Sequence, residues 1–302
     1  MSTFQIIFEE FCKNIIREGG NAFNNVSRIK REYINDVVDL FKHTVIEKLL
    51  NADPKDSLFL LGSTGKKTDS VDIDIGLDAN ILHDNILVSL MKLDELCAKN
   101  NIESYINTIS FDMLHVCFQQ PNNKFVQIDL LLTKYPEFTK FFMFSPAENE
   151  SRYKGAHRNT LLKSILLAAT LSNVIYDNKH QPIKWNQYDL TSNGMTQCAK
   201  TLVDENGNRL MYKTTNEPLE IEYAKNEYIH YLSHDVNTII KFIVGDFKQE
   251  DIDTFEKLFN IVVHNDSFKH KDKRDTILKI CAKKLKEAEK RLIFPDELKI
   301  FI

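Results

Sequence analysis

The sequence predicts an α+β protein, with a small mixed sheet in the first part of the chain and mostly helices in the rest. Two observations predict this class. Five short runs rich in apolar and β-branched residues, as strands are, occur between residues 57 and 133. After Pro136, apolar residues recur instead at helical spacing. We therefore predict two domains, at 1–140 and 141–302, joined within "YPEFTKFFMFSPAENES".

The N-terminal domain is predicted to begin with helices. Residues 3–17 have an amphipathic helical pattern, and Ser27 can cap a longer helix that ends where Pro54 breaks it. The elements that follow are strands at 57–61 and 70–77, a helix at about 81–100, and strands in "IESYINTI", "FDMLHVCFQ" and "KFVQIDLLLT". The turn-forming segment "QPNNK" is expected to join the last two strands as a hairpin.

The C-terminal domain is predicted to be mostly helical. Its helices are expected from Gly155 to about residue 175, over much of 218–247, and over much of 251–291. "DENGNRL" at 204–210 has the composition of a turn between short extended segments.

The bulk composition excludes several classes of protein. Hydrophobic residues make up 43% of the chain and charged residues 27%, as in ordinary globular proteins. No apolar run approaches the roughly 20 residues of a membrane span, so we expect no membrane partner. The five cysteines are scattered without a C-x-x-C pair, which indicates a reducing, cytoplasmic setting and no cysteine zinc site. The net charge of −4 gives the whole chain no general attraction to nucleic acid, and no feature of the sequence indicates an oligomeric state.

Two aspartates stand within a strand that should be buried. In "DSVDIDIGL", Asp72 and Asp74 are two apart and therefore point to one face, while Ile73 and Ile75 point to the other. Like charges side by side on a sheet repel each other. A cation between them would relieve the repulsion, and Mg²⁺ prefers carboxylate oxygens and substrate phosphates. The pair therefore predicts a metal–phosphate site.

The residues before this strand supply the features of an anion site. Gly62 and Ser63 follow an apolar strand, where a glycine lets backbone N–H groups approach an anion and a serine hydroxyl can donate to it. A short helix beginning at Ser63 would add a favourable dipole. Lys66 and Lys67 add positive charge in the same loop.

A third carboxylate occurs in a later strand. Asp129 is the only acid in the apolar run "KFVQIDLLLT", where it shares a face with Gln127. An isolated carboxylate in such a strand is costly unless it is paired or bound to metal. A site with two metals needs bridging and flanking ligands, for which Asp72, Asp74 and Asp129 are the candidates.

The chain resembles the DNA polymerase β-type nucleotidyltransferase superfamily over about residues 57–133. The resemblance lies in the stretches "LLGSTGKKTDSVDIDIGL" and "QIDLLL". "GSTGKK" before the Asp-x-Asp strand is similar to nucleotidyltransferase-like proteins of bacteriophages. The resemblance implies that the three acids bind two Mg²⁺ ions, with Mn²⁺ as an alternative, and that Gly62 and Ser63 hold the phosphates of an NTP, with ATP favoured. An acceptor hydroxyl would then attack the α-phosphorus, and pyrophosphate would leave.

The C-terminal domain offers candidates for nucleotide and acceptor binding. Lys154 and Arg158 are four apart in "SRYKGAHRNTLLKS" and can share a helix face, either at a nucleotide or in a solvated first turn. Residues 269–291 carry ten Lys/Arg against four acids, a net of +6, which suits either an RNA phosphate backbone or a solvated helix face.

Several alternatives remain for the activity. The acceptor we favour is an RNA or nucleotide 3′-hydroxyl, with a protein or small-molecule hydroxyl as the other choices. A nucleotide- or RNA-binding antitoxin or sensor module would keep the same fold without transfer. An ordinary loop followed by an exposed edge strand would account for Asp72 and Asp74, but not for the combination of Gly62, Ser63 and Asp129.

Overall fold

The structure, a computed structural model, describes residues 22–51, 53–107, 112–120, 122–170, 174–176, 182–191, 194–202, 224–288 and 292–301. The chain divides into two compact units, Met1–Pro136 and Glu137–Ile302. The helix predicted at 3–17 and the turn predicted at 204–210 lie outside the described residues.

The first unit contains the predicted strands and a long helical segment. Its elements are β1 (Ile29–Lys30), α1 (Arg31–Phe41), a π-helical turn (Lys42–Ile46), α2 (Glu47–Leu50), β2 (Leu58–Leu60), β3 (Asp69–Ser70), β4 (Asp72–Asp78), α3 (Ile86–Lys99), β5 (Glu103–Asn107), β6 (Met113–Gln119) and β7 (Phe125–Thr133). The helical segment begins at Arg31 rather than at Ser27, and it ends at Asn51, whose φ of 53° is left-handed.

A five-stranded mixed sheet flanked by helices confirms the predicted α+β fold class. The strand order is β2-β4-β7-β6-β5, in which only β4 and β7 run parallel. β6 and β7 form the expected antiparallel hairpin. β1 and β3 form a separate two-stranded ladder.

The two faces of this sheet differ in polarity. Ile73 and Ile75 of β4, with Ile128 and Leu130 of β7, are fully buried in a core that also contains residues of α1 and α3. Because side chains alternate along a strand, the residues between them lie on the opposite face. That opposite face carries the acids.

The second unit is less helical than the sequence pattern suggested. Its elements are α4 (Pro136–Phe142), α5 (Gly155–Thr170), β8 (Val174–Tyr176), β9 (Pro182–Thr191), β10 (Gly194–Leu202), β11 (Ala224–Ser233), α6 (Val236–Ile243), α7 (Phe255–His264) and α8 (Arg274–Glu287). The four strands form one antiparallel sheet in the order β11-β10-β9-β8. The helix predicted over 218–247 is therefore wrong for residues 224–233, which pair with β10 as a strand.

Candidate active site

Three carboxylates meet on the polar face of the five-stranded sheet. Asp72 and Asp74 lie on β4 with the same side-chain direction, and Asp129 lies directly opposite Asp74 on the parallel strand β7. One ligand oxygen from each of the three acids lies within 4.8 Å of the others. The sheet thus brings together the three acids that the sequence pattern selected.

The charges of this cluster repel one another. The pKa of Asp74 is raised well above its ordinary value, first by burial and then by the charges of Asp72 and Asp129. A compact group of carboxylates on a firm strand scaffold suits a hard divalent cation, which prefers oxygen ligands and removes the repulsion. The residues present therefore fit Mg²⁺ or Mn²⁺.

The raised pKa of Asp74 predicts how metal-free stability depends on pH. Because folding favours the protonated acid, its contribution is fully present below the ordinary carboxyl pKa and is lost as the pH rises through the raised pKa. Asp74→Asn removes this loss, so its stability relative to wild type should increase with pH. Urea unfolding in EDTA from pH 4 to 8 measures the difference. If the difference in free energy of unfolding between the two proteins did not change with pH, the raised pKa of Asp74 would be contradicted. In saturating Mg²⁺ at neutral pH, wild type should instead be the more stable of the two proteins.

A glycine permits the loop after β2 to approach the acids. Gly62 has a φ of +58°, and a Cβ built there would lie 2.1 Å from Oδ2 of Asp74. Only a residue without a side chain fits beside that carboxylate oxygen in this left-handed conformation. The glycine that the sequence pattern associated with phosphate therefore directly contacts the acidic cluster.

Two hydrogen-bonded turns hold the rest of this loop. The N–H of Thr64 donates to the carbonyl of Leu61 at 3.2 Å, and that of Lys66 donates to the carbonyl of Ser63 at 3.1 Å. No helix begins at Ser63, since residues 63–66 are turns. The dipole of a helix at Ser63 is therefore not a feature of this site.

Thr64 is a site residue that the sequence did not reveal. Its buried hydroxyl accepts the N–H of Asp74 at 2.8 Å, while the N–H of Leu61 donates to the carbonyl of Asp74 at 2.9 Å. The loop is thereby fastened to β4 at the residue that carries a carboxylate. Ser63, Lys66 and Lys67 lie in the same loop, partly exposed, and their contact with phosphate stays a prediction.

Two neighbours of Asp129 were also missed as functional residues. Nδ1 of His115 lies 2.7 Å from Oδ1 of Asp129, and Nε2 of Gln127 donates to the same oxygen at 2.8 Å. His115 stands opposite Asp129 in the ladder between β6 and β7. The shared face of Gln127 and Asp129 was visible in the sequence, and the strand register was the missing information.

Arg28 pairs with Asp69, three residues before the first acid of the cluster. Nε of Arg28 donates to Oδ1 of Asp69 at 2.8 Å, and this bond holds the pKa of the Asp69 carboxyl below its usual range, with a smaller contribution from the charge of Lys67. The Arg28 side chain is about half exposed. Lys67 is thus close to an acid at the edge of the loop.

The two candidates in the second unit have different surroundings. Lys154 is exposed just before α5, whereas Arg158 is 0% exposed. Nη2 of Arg158 donates to the carbonyl of Phe141 at 2.5 Å and to Oδ1 of Asn159 at 2.9 Å, and burial lowers its pKa to about 10. Because the guanidinium is fully buried, a nucleotide contact would require it to become accessible. The contacts predicted for both residues stay predictions.

Comparison with known proteins gives only weak likenesses. No protein-family model matches the chain, and no curated protein matches it. Its structural neighbours include Cid1 poly(U) polymerase. The MgGTP-bound structure is 12% identical with a TM-score of 0.29, over 62% of this chain and 65% of that chain. A second, described for its RNA terminal uridylyl transferase activity, is 12% identical with a TM-score of 0.29, over 63% and 60%. A MgATP-bound mutant is 11% identical with a TM-score of 0.27, over 62% and 65%.

These likenesses carry no argument about the activity of the chain. It spans less than two thirds of the length of the neighbouring structures. The acidic cluster and the loop beside it are therefore the basis of the functional conclusion.

Among the described residues, no helix is both long and apolar enough to cross a membrane.

Proposed function

We propose that this protein is a divalent-metal-dependent nucleotidyltransferase that moves an NMP from an NTP to an acceptor hydroxyl and releases pyrophosphate. The observation that carries the proposal is the meeting of Asp72, Asp74 and Asp129 within 4.8 Å on one sheet face. The left-handed Gly62 beside Asp74 supports it, because an anion-binding loop next to a cation site suits a metal-bound triphosphate.

Each part of the site has a role in this reaction. Asp72, Asp74 and Asp129 hold two Mg²⁺ ions, or Mn²⁺ in their place. The bound cations supply charge neutralisation for the phosphates. Gly62 and Ser63 orient the triphosphate through backbone N–H groups and a hydroxyl, helped by Lys66 or Lys67. Asp129 accepts the proton of the acceptor hydroxyl at a carboxylate oxygen as the α-phosphorus is attacked.

The proposed donor is ATP or another NTP, and the proposed acceptor is an RNA or nucleotide 3′-hydroxyl. Lys154 and Arg158 are proposed as further nucleotide contacts. A cytoplasmic location belongs to the same proposal, supported by the free thiols of Cys97, Cys117 and Cys281.

The direct test is transfer of label from each of the four α-labelled NTPs, with pyrophosphate measured in parallel. Acceptors are RNA oligonucleotides, nucleotides, and a lysate that supplies proteins and small molecules. We expect Mg²⁺-dependent label transfer with one pyrophosphate released per NMP. Binding of NTP with Mg²⁺ but no pyrophosphate from any acceptor would refute transfer and leave the alternative of a binding module with the same fold.

The basic run near the C-terminus is only partly available to an RNA acceptor. Some of its cations donate to backbone carbonyls within their own unit: Nζ of Lys269 to Phe242, Nζ of Lys273 to Ala168, and Nε of Arg274 to Val262. Lys279, Lys283 and Lys286 are exposed on α8 at positions i, i+4 and i+7, and therefore share one helix face. These three lysines form the basic stripe that we propose for RNA phosphates.

Replacing all three lysines of the basic stripe by glutamate should distinguish an RNA acceptor from a small-molecule acceptor. If the stripe binds single-stranded RNA, the slope of log affinity against log salt should become shallower by about 2, at roughly 0.7 per phosphate contact. Transfer to a mononucleotide should not change. Filter binding across a salt series measures the slope, and Lys248→Glu, at an exposed lysine elsewhere in the unit, is the control. An unchanged slope would assign the stripe to a solvated face.

A further inference from the structure

The imidazole of His115 is hydrogen-bonded to Asp129. It is 8% exposed, stacks on Tyr105 with a centroid distance of 4.6 Å, and places Nδ1 2.7 Å from Oδ1 of Asp129. A carboxylate that binds a cation only accepts hydrogen bonds, so in the proposed metal-bound site Nδ1–H would be the donor. Nε2 is buried and has no hydrogen-bond partner among the described residues. The hydrogen bonding of the ring is therefore directed to Asp129, and the stacking on Tyr105 restricts its plane.

Gln127 approaches the same carboxylate oxygen from within β7. Its Oε1 accepts the N–H of Ala22 at 2.6 Å, and its Nε2 donates to Oδ1 of Asp129 at 2.8 Å. Since a backbone N–H can only donate, the contact to Ala22 fixes which end of the amide is oxygen and turns the NH₂ group to Asp129. Gln127 is 2% exposed, so its orientation is locked by packing and by both hydrogen bonds.

We propose that His115 and Gln127 are positioning residues that hold Oδ1 of Asp129 and so present Oδ2 to the divalent cation. The inference rests on the proposed metal site. Two donors on one oxygen leave the other oxygen's lone pairs for a ligand. They also fix the carboxylate rotamer against repulsion from Asp74, which stands opposite in the ladder. Partners of metal ligands orient those ligands, and their loss typically weakens metal affinity.

A pair of amide substitutions tests the positioning role at His115. The side-chain nitrogen of asparagine lies the same number of bonds from Cα as Nδ1 of histidine, whereas that of glutamine matches Nε2. His115→Asn therefore keeps a donor for Asp129, and His115→Gln displaces it. Both introduce the same amide group, so a general effect of polarity in the interior should appear in both variants.

The measurement is direct Mn²⁺ binding, from the EPR signal of free Mn²⁺, with no NTP or acceptor present. His115→Gln and Gln127→Met should weaken Mn²⁺ binding by about 10- to 100-fold, while His115→Asn should stay within about threefold of wild type. Cys117→Ala is the control, because Cys117 lies on the same face of β6 two residues from His115. The thermal midpoint in EDTA checks that each variant is folded.

The outcomes separate this inference from the proposed function. Wild-type affinity in His115→Gln, or equal losses in His115→Asn and His115→Gln, would overturn the positioning role. Absence of Mn²⁺ binding by the wild type would overturn it as well. A wild-type protein that binds Mn²⁺ but transfers no NMP would refute the proposed function, while the Mn²⁺ affinities of the variants would still decide the roles of His115 and Gln127.

Discussion

Replacing Asp72 or Asp74 by asparagine is expected to abolish NMP transfer while the protein stays folded. Each change removes one charged ligand from a cluster whose members lie within 4.8 Å of one another. Metal binding supplies several kcal/mol of charge stabilisation in such reactions, and each 1.4 kcal/mol corresponds to a factor of ten in rate, so we expect a loss of about 1,000-fold or more. The rate of label transfer from an α-labelled NTP measures it.

Asp78 provides the matched control for this experiment. It lies on the same face of β4 as Asp72 and Asp74, and its carboxylate accepts the N–H of Asn80 at 2.9 Å. Asparagine caps turns about as well as aspartate does. Asp78→Asn therefore makes the same chemical change outside the cluster and should leave transfer within about twofold of wild type. Retention of more than a tenth of the activity in Asp72→Asn would contradict a role as metal ligand.

Adding a single methyl group at Gly62 is expected to have an effect almost as large. The Cβ of Gly62→Ala would lie 2.1 Å from Oδ2 of Asp74, so the carboxylate or the loop must move. A misplaced ligand or phosphate cradle should reduce transfer by about 100-fold. The positive φ of +58° adds a backbone penalty, for which we expect a free energy of unfolding lower by about 1–2 kcal/mol.

Gly65→Ala separates backbone strain from the clash. Gly65 also has a positive φ, +72°, but its Cβ would meet only Cδ1 of Leu60, at an ordinary 3.7 Å. Gly65→Ala should therefore lose stability in urea unfolding through backbone strain alone, Gly62→Ala should lose at least as much, and only Gly62→Ala should lose most of its activity. Equal losses of transfer in the two variants would assign the effect to strain in the loop rather than to the Asp74 carboxylate.

The strands of the first unit and the three acids were predictable because both signals are local. Alternation places Asp72 and Asp74 on one face, and Asp129 is conspicuous as the only acid in an apolar run. The contact between His115 and Asp129 was not predictable, since it depends on the register of the hairpin between β6 and β7. Composition indicates a hairpin, but the turn geometry sets the register.

The second unit shows where local patterns fail. β11, "AKNEYIHYLS", has apolar residues at spacings that suit both a helix and a strand, and its pairing with β10 decides between them. Arg158 was expected to share a helix face with Lys154 because the two are four residues apart, either at a nucleotide or in a solvated first turn. Its burial depends on hydrogen bonds to the carbonyl of Phe141 and the side chain of Asn159, and these bonds cannot be predicted from local charge patterns.

The parallel pairing of β4 with β7 also has a consequence for how the protein folds. Asp74 and Asp129 are adjacent in the ladder but 55 residues apart in the chain, and α3, β5 and β6 lie between them in sequence. We expect such non-local pairing to form late, since the loop-closure entropy must be overcome before the contact forms. High-affinity metal binding during refolding would therefore indicate that β4 and β7 have paired. A chain whose folding stopped before β7 had paired would lack the complete set of ligands.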